Sequence, residues 1–149
     1  MKKLANRNAI DAILISHFHL DHFGGVPFFV LDAQLVARRT RPLTIAGPPG
    51  LRVWFDRLFA SAFPGDRKLP FELTFHEVEI GARNRIHKLA FTPFHVRHDD
   101  KVGPCLAYRM ELEGRPCVIR VTLNGLTFCW KRRAARISLF ASVTCSRRS

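Results

Sequence analysis

The sequence predicts an α+β domain in which strand and helix alternate up to about residue 70 and strands dominate beyond it. Two observations carry this. Apolar runs too short for helices are each followed by glycine or proline and then by a segment of helical spacing; from Phe71 the apolar period shortens to that of strands. A third feature suggests function. Residues 13–25, ILISHFHLDHFGG, place three histidines and an aspartate just where the first strand should end.

Residues 9–16 (AIDAILIS) read as a short buried strand, because their apolar residues run almost without interruption. Gly24 and Gly25 then release the backbone. A helix is predicted over 26–39, with Phe28, Leu31 and Leu35 at helical spacing and Pro27 tolerated in its first turn. Residues 43–46 (LTIA) form a second strand, and GPPG at 47–50 separates it from an amphipathic helix over 51–63 that Pro64 and Gly65 stop. Residues 71–80 and 85–96 read as strands, and 104–119 as a hairpin turning near Glu113 and Gly114. Beyond Ile119 the alternation decays.

At 149 residues and 47% hydrophobic content, the chain can build one domain with a real core. No run approaches the roughly 18–20 apolar residues of a membrane span, and residues 1–8 have a charged start with no apolar core behind it, so a soluble chain without a secretory signal is expected. Cys105, Cys117, Cys129 and Cys145 are widely spaced and form no CxxC pair. That excludes a zinc knuckle or small disulfide scaffold and fits a reducing cytoplasm. The formal charge of +12 is uneven: residues 1–119 hold 17 Lys+Arg against all 12 Asp+Glu, whereas residues 120–149 hold 7 basic residues and no acid. Such a tail is a solvated segment or a nucleic-acid-binding arm.

In an extended segment, side chains at i, i+2 and i+4 share a side, so His17, His19 and Asp21 can converge just past the strand end. His22 approaches from the turn into the helix. Imidazole nitrogen and carboxylate oxygen together suit zinc, iron or manganese. A lone histidine is usually structural, but four such groups in six positions after a buried strand are a directional motif.

With HxHxDH matched by His17, His19, Asp21 and His22, residues 9–119 resemble the metallo-β-lactamase superfamily of metal-dependent hydrolases, and in particular its ribonuclease Z-like branch. The resemblance implies an αββα fold, a β-sandwich flanked by helices. It implies two Zn2+ ions in the intact family, with manganese or iron as alternatives, and assigns His17 and His19 to the first and Asp21 and His22 to the second. A later strand-end histidine completes the first site. Both His95 and His98 lie near that point; Val96, Arg97 and His98 match the family's pattern, which selects His98 and leaves His95 as a strand side chain. His76 and His87, within presumed strands, are read as structural. The activity implied is attack of activated water on a phosphodiester or other ester, with Asp21 orienting the water or taking its proton. An RNA substrate and, in the intact family, a homodimer follow from the same resemblance.

Two family elements have no counterpart. Where a strand should end in an aspartate bridging the metals, Ile119 is followed by RVTLNGLTFCW, without an acid, and a final histidine is missing. Few residues precede the first strand, so the chain reads as truncated at its start. The genetic code explains the tail: with suitable synonymous codons, residues from Arg120 onward, read one frame over, give GDTEWTDVLLE, and Cys129, Trp130 and Lys131 force Leu-Leu-Glu in that frame whatever codons encode them. Residues 1–119 are therefore expected to be a partial metallo-β-lactamase-like domain, residues 120–149 an aberrant, frameshifted basic tail, and the chain an impaired hydrolase. A lactone, thioester or sulfate ester substrate, a non-catalytic nucleic-acid binder using Lys131, Arg132 and Arg133, and a fragment without function are the other readings.

Overall fold

The computed structural model describes residues 7–65, 68–98 and 100–112, together with the strand backbones of 115–122, 125–128 and 137–138. The turn expected at Glu113 and Gly114, Cys129, Cys145 and the side chains of Cys117 and of the basic tail lie outside the described residues.

Two sheets form. The first is parallel and combines β1 (Ala12–Leu14), β2 (Leu43–Gly47), β3 (Leu73–Glu77) and the short β9 (Ile137–Ser138) in the order β3-β2-β1-β9. The second is antiparallel, with β4 (Asn84–Ile86), β5 (Leu89–His95), β6 (Leu106–Leu112), β7 (Arg115–Thr122) and β8 (Gly125–Phe128) side by side in chain order. The expected hairpin is present, with Leu112 opposite Arg115. The boundary expected at residue 119 falls inside β7, whose backbone continues to Thr122 and pairs with β8.

Helices α2 (Gly25–Leu35) and α3 (Leu51–Ala62) cover the first sheet; the short α1 (Leu20–Phe23) precedes α2. Alternation along the first sheet's strands sorts the core into two layers. Ile13, Ile15, Leu43 and Ile45 point to the helices and meet Val26, Val30, Leu51 and Phe55. Ala12, Leu14 and Ala46 point the other way, onto Leu89 and Phe91 of β5 and Leu106, Tyr108 and Met110 of β6. Helix, sheet and sheet are thus stacked in that order among the described residues, three of the four layers of an αββα sandwich.

Three local expectations are corrected. The buried face of α2 is Val26, Pro27, Phe29, Val30 and Ala33, while Phe28 and Leu35 are more than half exposed (57% and 58%). Because nearly every residue in that helix is apolar, periodicity alone could not select the face. His87 lies in the turn between β4 and β5 rather than in a strand, at φ 52°, a left-handed conformation that a tight connection requires. Asp21 sits in the helical turn of α1, so the extended alternation that joins His17 to His19 stops before reaching it.

The sheets are tied together where β1 ends. The Tyr108 hydroxyl donates to the Ile15 carbonyl at 2.6 Å, fully buried, and the Leu106 N–H donates to the Ser16 carbonyl at 2.9 Å. Gly47 permits the adjoining approach of β2, since a Cβ there would lie 3.0 Å from the Ile15 Cβ. Tyr108→Phe should leave the Ile15 carbonyl buried without its donor and lower stability by about 1–3 kcal/mol, measured as a shift in urea midpoint at unchanged slope.

Candidate metal centre

The site is built on the chain that leaves the first sheet. Ile15 still belongs to the ladder, its N–H donating to the Ala46 carbonyl at 2.7 Å, and Ser16 is held by Leu106 of the second sheet. Residues 17–19 then run on extended until His19, at φ −63° and ψ 141°, begins α1. Phe18, between the two histidines, turns the opposite way and stacks on Trp54 with ring centroids 5.7 Å apart. The flanking residues are anchored, so His17 and His19 share a side for a structural reason and not only because of their spacing.

His98 arrives from the other sheet. β5 continues one step past His95, the Val96 N–H donating to the Cys105 carbonyl at 2.9 Å, and the chain then loops out to His98 and back to β6. The loop closes against the first segment: Gly103, at φ +110°, places its Cα face against the Phe18 ring, which a Cβ would approach to 3.4 Å. His98 consequently lies within the cluster, with ring centroids 5.0 Å from His17 and 5.3 Å from His19.

One ring nitrogen from each of His17, His19 and His98 lies within 4.8 Å of the other two. His17 is fully buried, and its Nε2 has no hydrogen-bond partner among the described residues; the same holds for His98 Nδ1 and His22 Nδ1. Buried imidazole nitrogens are normally satisfied. Three nitrogen donors from two chain segments, gathered with unsatisfied nitrogens, fit a divalent cation such as zinc, with room for further ligands.

The remaining residues occupy the rim. The His22 ring lies 4.3 Å from that of His17, and its Nε2 is 3.3 Å from Asp21 Oδ2. The Asp21 side chain is 72% exposed, so it sits outside the triad and faces solvent. His95, last in β5, is exposed, and His76 in β3 is half-buried apart from the cluster. Ser16 was not singled out from the sequence, yet its hydroxyl is 2.9 Å from His17 Nδ1. Tyr108 was missed too, although a sole tyrosine placed among alternating apolar residues of a strand is a signal for a buried hydroxyl with a partner.

Burial lowers the His17 pKa from 6.5 to about 4, with the neighbouring imidazoles of His22, His19 and His98 adding to the effect and Asp21 partly opposing it. His22 is lowered as well, first by burial. Both are therefore neutral at physiological pH, the form in which a ring nitrogen can bind a cation.

The family profile described as Beta-lactamase superfamily domain matches residues 1–119. Ribonuclease Z of Agathobacter rectalis is 31% identical over 108 residues, which cover 72% of this chain and 33% of that protein. Ribonuclease Z of Lachnoclostridium phytofermentans is 39% identical over 71 residues, 48% of this chain and 22% of that one. The chain thus spans about a third or less of the length of these curated relatives. Among solved structures, human tRNase Z, short form, superposes with a TM-score of 0.55 at 23% identity, covering 76% of this chain and 49% of that one. The metallo-beta-lactamase fold protein YhfI from Bacillus subtilis gives 0.54 at 18% identity, covering 75% and 41%. Both structural likenesses concern the fold.

The lowered His17 pKa has a thermodynamic consequence. Between pH 6.5 and about 4 the unfolded chain takes up a proton that the folded chain refuses, so the stabilisation present above pH 6.5 is lost as pH falls through this window. Metal-free protein should lose about 3 kcal/mol from this group alone, and His17→Asn should flatten that part of a urea-unfolding stability profile against pH.

Proposed function

The chain belongs to the beta-lactamase superfamily, and from that premise we propose that it carries a metal-dependent hydrolase site for phosphodiester or other ester bonds, resembling ribonuclease Z. RNA is the substrate class that this likeness favours. The observation that supports the reading most strongly is the meeting of His17, His19 and His98, from two distant chain segments, with His17 Nε2 and His98 Nδ1 buried and without a hydrogen-bond partner among the described residues.

In this reading His17, His19 and His98 hold one cation, zinc first and manganese or iron as alternatives, and Asp21 and His22 contribute to a second. A bound cation would supply Lewis acidity toward the scissile group and toward water. The protein's own groups do the rest. Burial keeps His17 and His22 uncharged, and the fully buried His17 is held from both sheets. Asp21, exposed at the rim with Oδ2 3.3 Å from His22 Nε2, orients the attacking water or accepts its proton. The His22 contact limits the directions in which that carboxylate can turn.

The chain's own activity is proposed to be low. Residues 120–130 (RVTLNGLTFCW) contain no carboxylate, so nothing in that stretch can bridge the two cations, and a site short of a ligand binds more weakly. We attribute this stretch to a shifted reading frame in the gene. A cytoplasmic setting belongs to the same reading and agrees with the buried Cys105 thiol. Among the described residues no helix is long and apolar enough to cross a membrane.

Purified protein should retain metal only weakly; two cations held tightly per chain would contradict the impairment. His98→Ala should weaken that binding by roughly a hundredfold or more, beyond the ten- to hundredfold typical of an outer partner, whereas His95→Ala should leave it unchanged. A chromogenic phosphodiester should be cleaved slowly by the metal-loaded chain and not by His17→Ala, with lactone and thioester panels run beside it. RNA binding that weakens steeply with salt and survives His17→Ala, without hydrolysis, would favour a non-catalytic binder instead.

A further inference from the structure

We propose that Ser16 is a positioning residue: its hydroxyl accepts the His17 Nδ1–H, fixes that tautomer, and so leaves the unprotonated Nε2 turned toward His19 and His98. The inference rests on the metal-site reading for its purpose, but its structural content stands on three observations of its own.

The first is contact. Ser16 Oγ lies 2.9 Å from His17 Nδ1, and both residues are buried. A neutral imidazole carries one proton on one of two nitrogens, and the partner of one nitrogen determines what the other can do. If the hydroxyl donated instead, the proton would sit on Nε2, burying an N–H that has no acceptor among the described residues and pointing it at other imidazoles. With Nδ1–H donating, the atom left over is a lone pair, the group that a cation takes.

The second is anchoring. A hydroxyl orients a ring only if it is itself fixed. The Ser16 carbonyl accepts the Leu106 N–H at 2.9 Å, and the Ile15 carbonyl just before it accepts the Tyr108 hydroxyl at 2.6 Å. Two bonds from β6 therefore hold the backbone on which the hydroxyl is mounted. β6 also receives the chain returning from the His98 loop, so the same strand sets the position of both ends of the cluster.

The third is contrast within the site. Asp21 stands beside His22, not His17, at 3.3 Å. The carboxylate near this cluster is thus on the neighbouring histidine, and Ser16 is the side chain at His17 Nδ1.

The test reads the ring directly. Histidine-15N-labelled full-length chain, free of metal and held near pH 7.5, well above the ordinary histidine range, should show His17 in the Nδ1–H form in long-range 1H–15N spectra. That spectrum needs no variant and is independent of folding defects. Ser16→Ala should lose the bias and bind Zn2+ ten- to a hundredfold more weakly, and Ser16→Thr, which keeps a hydroxyl, should restore both. An Nε2–H His17 in the unmodified chain, an unchanged tautomer in Ser16→Ala, or equal Zn2+ affinity in Ser16→Ala and a zinc-binding parent would each overturn the assignment. A parent that shows Nδ1–H His17 but takes up no Zn2+ would support the orientation and remove the metal reading, so the two failures are distinguishable.

Discussion

The Tyr108 hydroxyl, reaching from the second sheet to the Ile15 carbonyl at the end of the first, is the contact on which the rest of the site depends. Side chains alone could press the two sheets together, but apolar contact is non-directional and would leave their ends free to slide. A buried hydrogen bond is directional, and breaking it strands a carbonyl away from water. Joined by the Leu106 bond to Ser16, it sets one loop opposite another, so that histidines more than seventy positions apart in the chain are brought together.

What the site gains from that position is low polarity. Burial discourages a charged His17, and three further imidazoles nearby discourage it more. The same surroundings that keep the ring neutral would also penalise its unsatisfied nitrogen, unless a cation or its water occupies the space. Asp21 lies instead at the surface, which suits the role proposed for it of orienting water or accepting its proton. Donor and rim residues thus part at the start of the short α1, which carries Asp21 and His22, because the backbone changes from extended to helical between His19 and Asp21.

The strand, loop and helix order of the first half was legible because glycines and prolines punctuate it, and the metal-grade cluster because its members are contiguous. The selection of His98 over His95 came from resemblance; the structure supplies its physical side, since His95 is the last residue of a strand and exposed while His98 follows on a loop that folds back over Phe18. Less was legible where several solutions share one pattern. In α2 an almost wholly apolar sequence hid which face would be buried, and at Asp21 the alternation rule was applied beyond the point where the strand geometry ends. Ser16 and Tyr108 escaped notice because a single hydroxyl has no pattern; its importance comes from partners distant in sequence that only the fold brings near.

Whether imidazoles from the two loops meet at one cation can be read from X-ray absorption at the zinc edge of the zinc-loaded chain. Three imidazole nitrogens are expected around the zinc, falling to two in His98→Ala. A shell of oxygen donors, or an imidazole count that does not change when His98 is removed, would contradict that meeting.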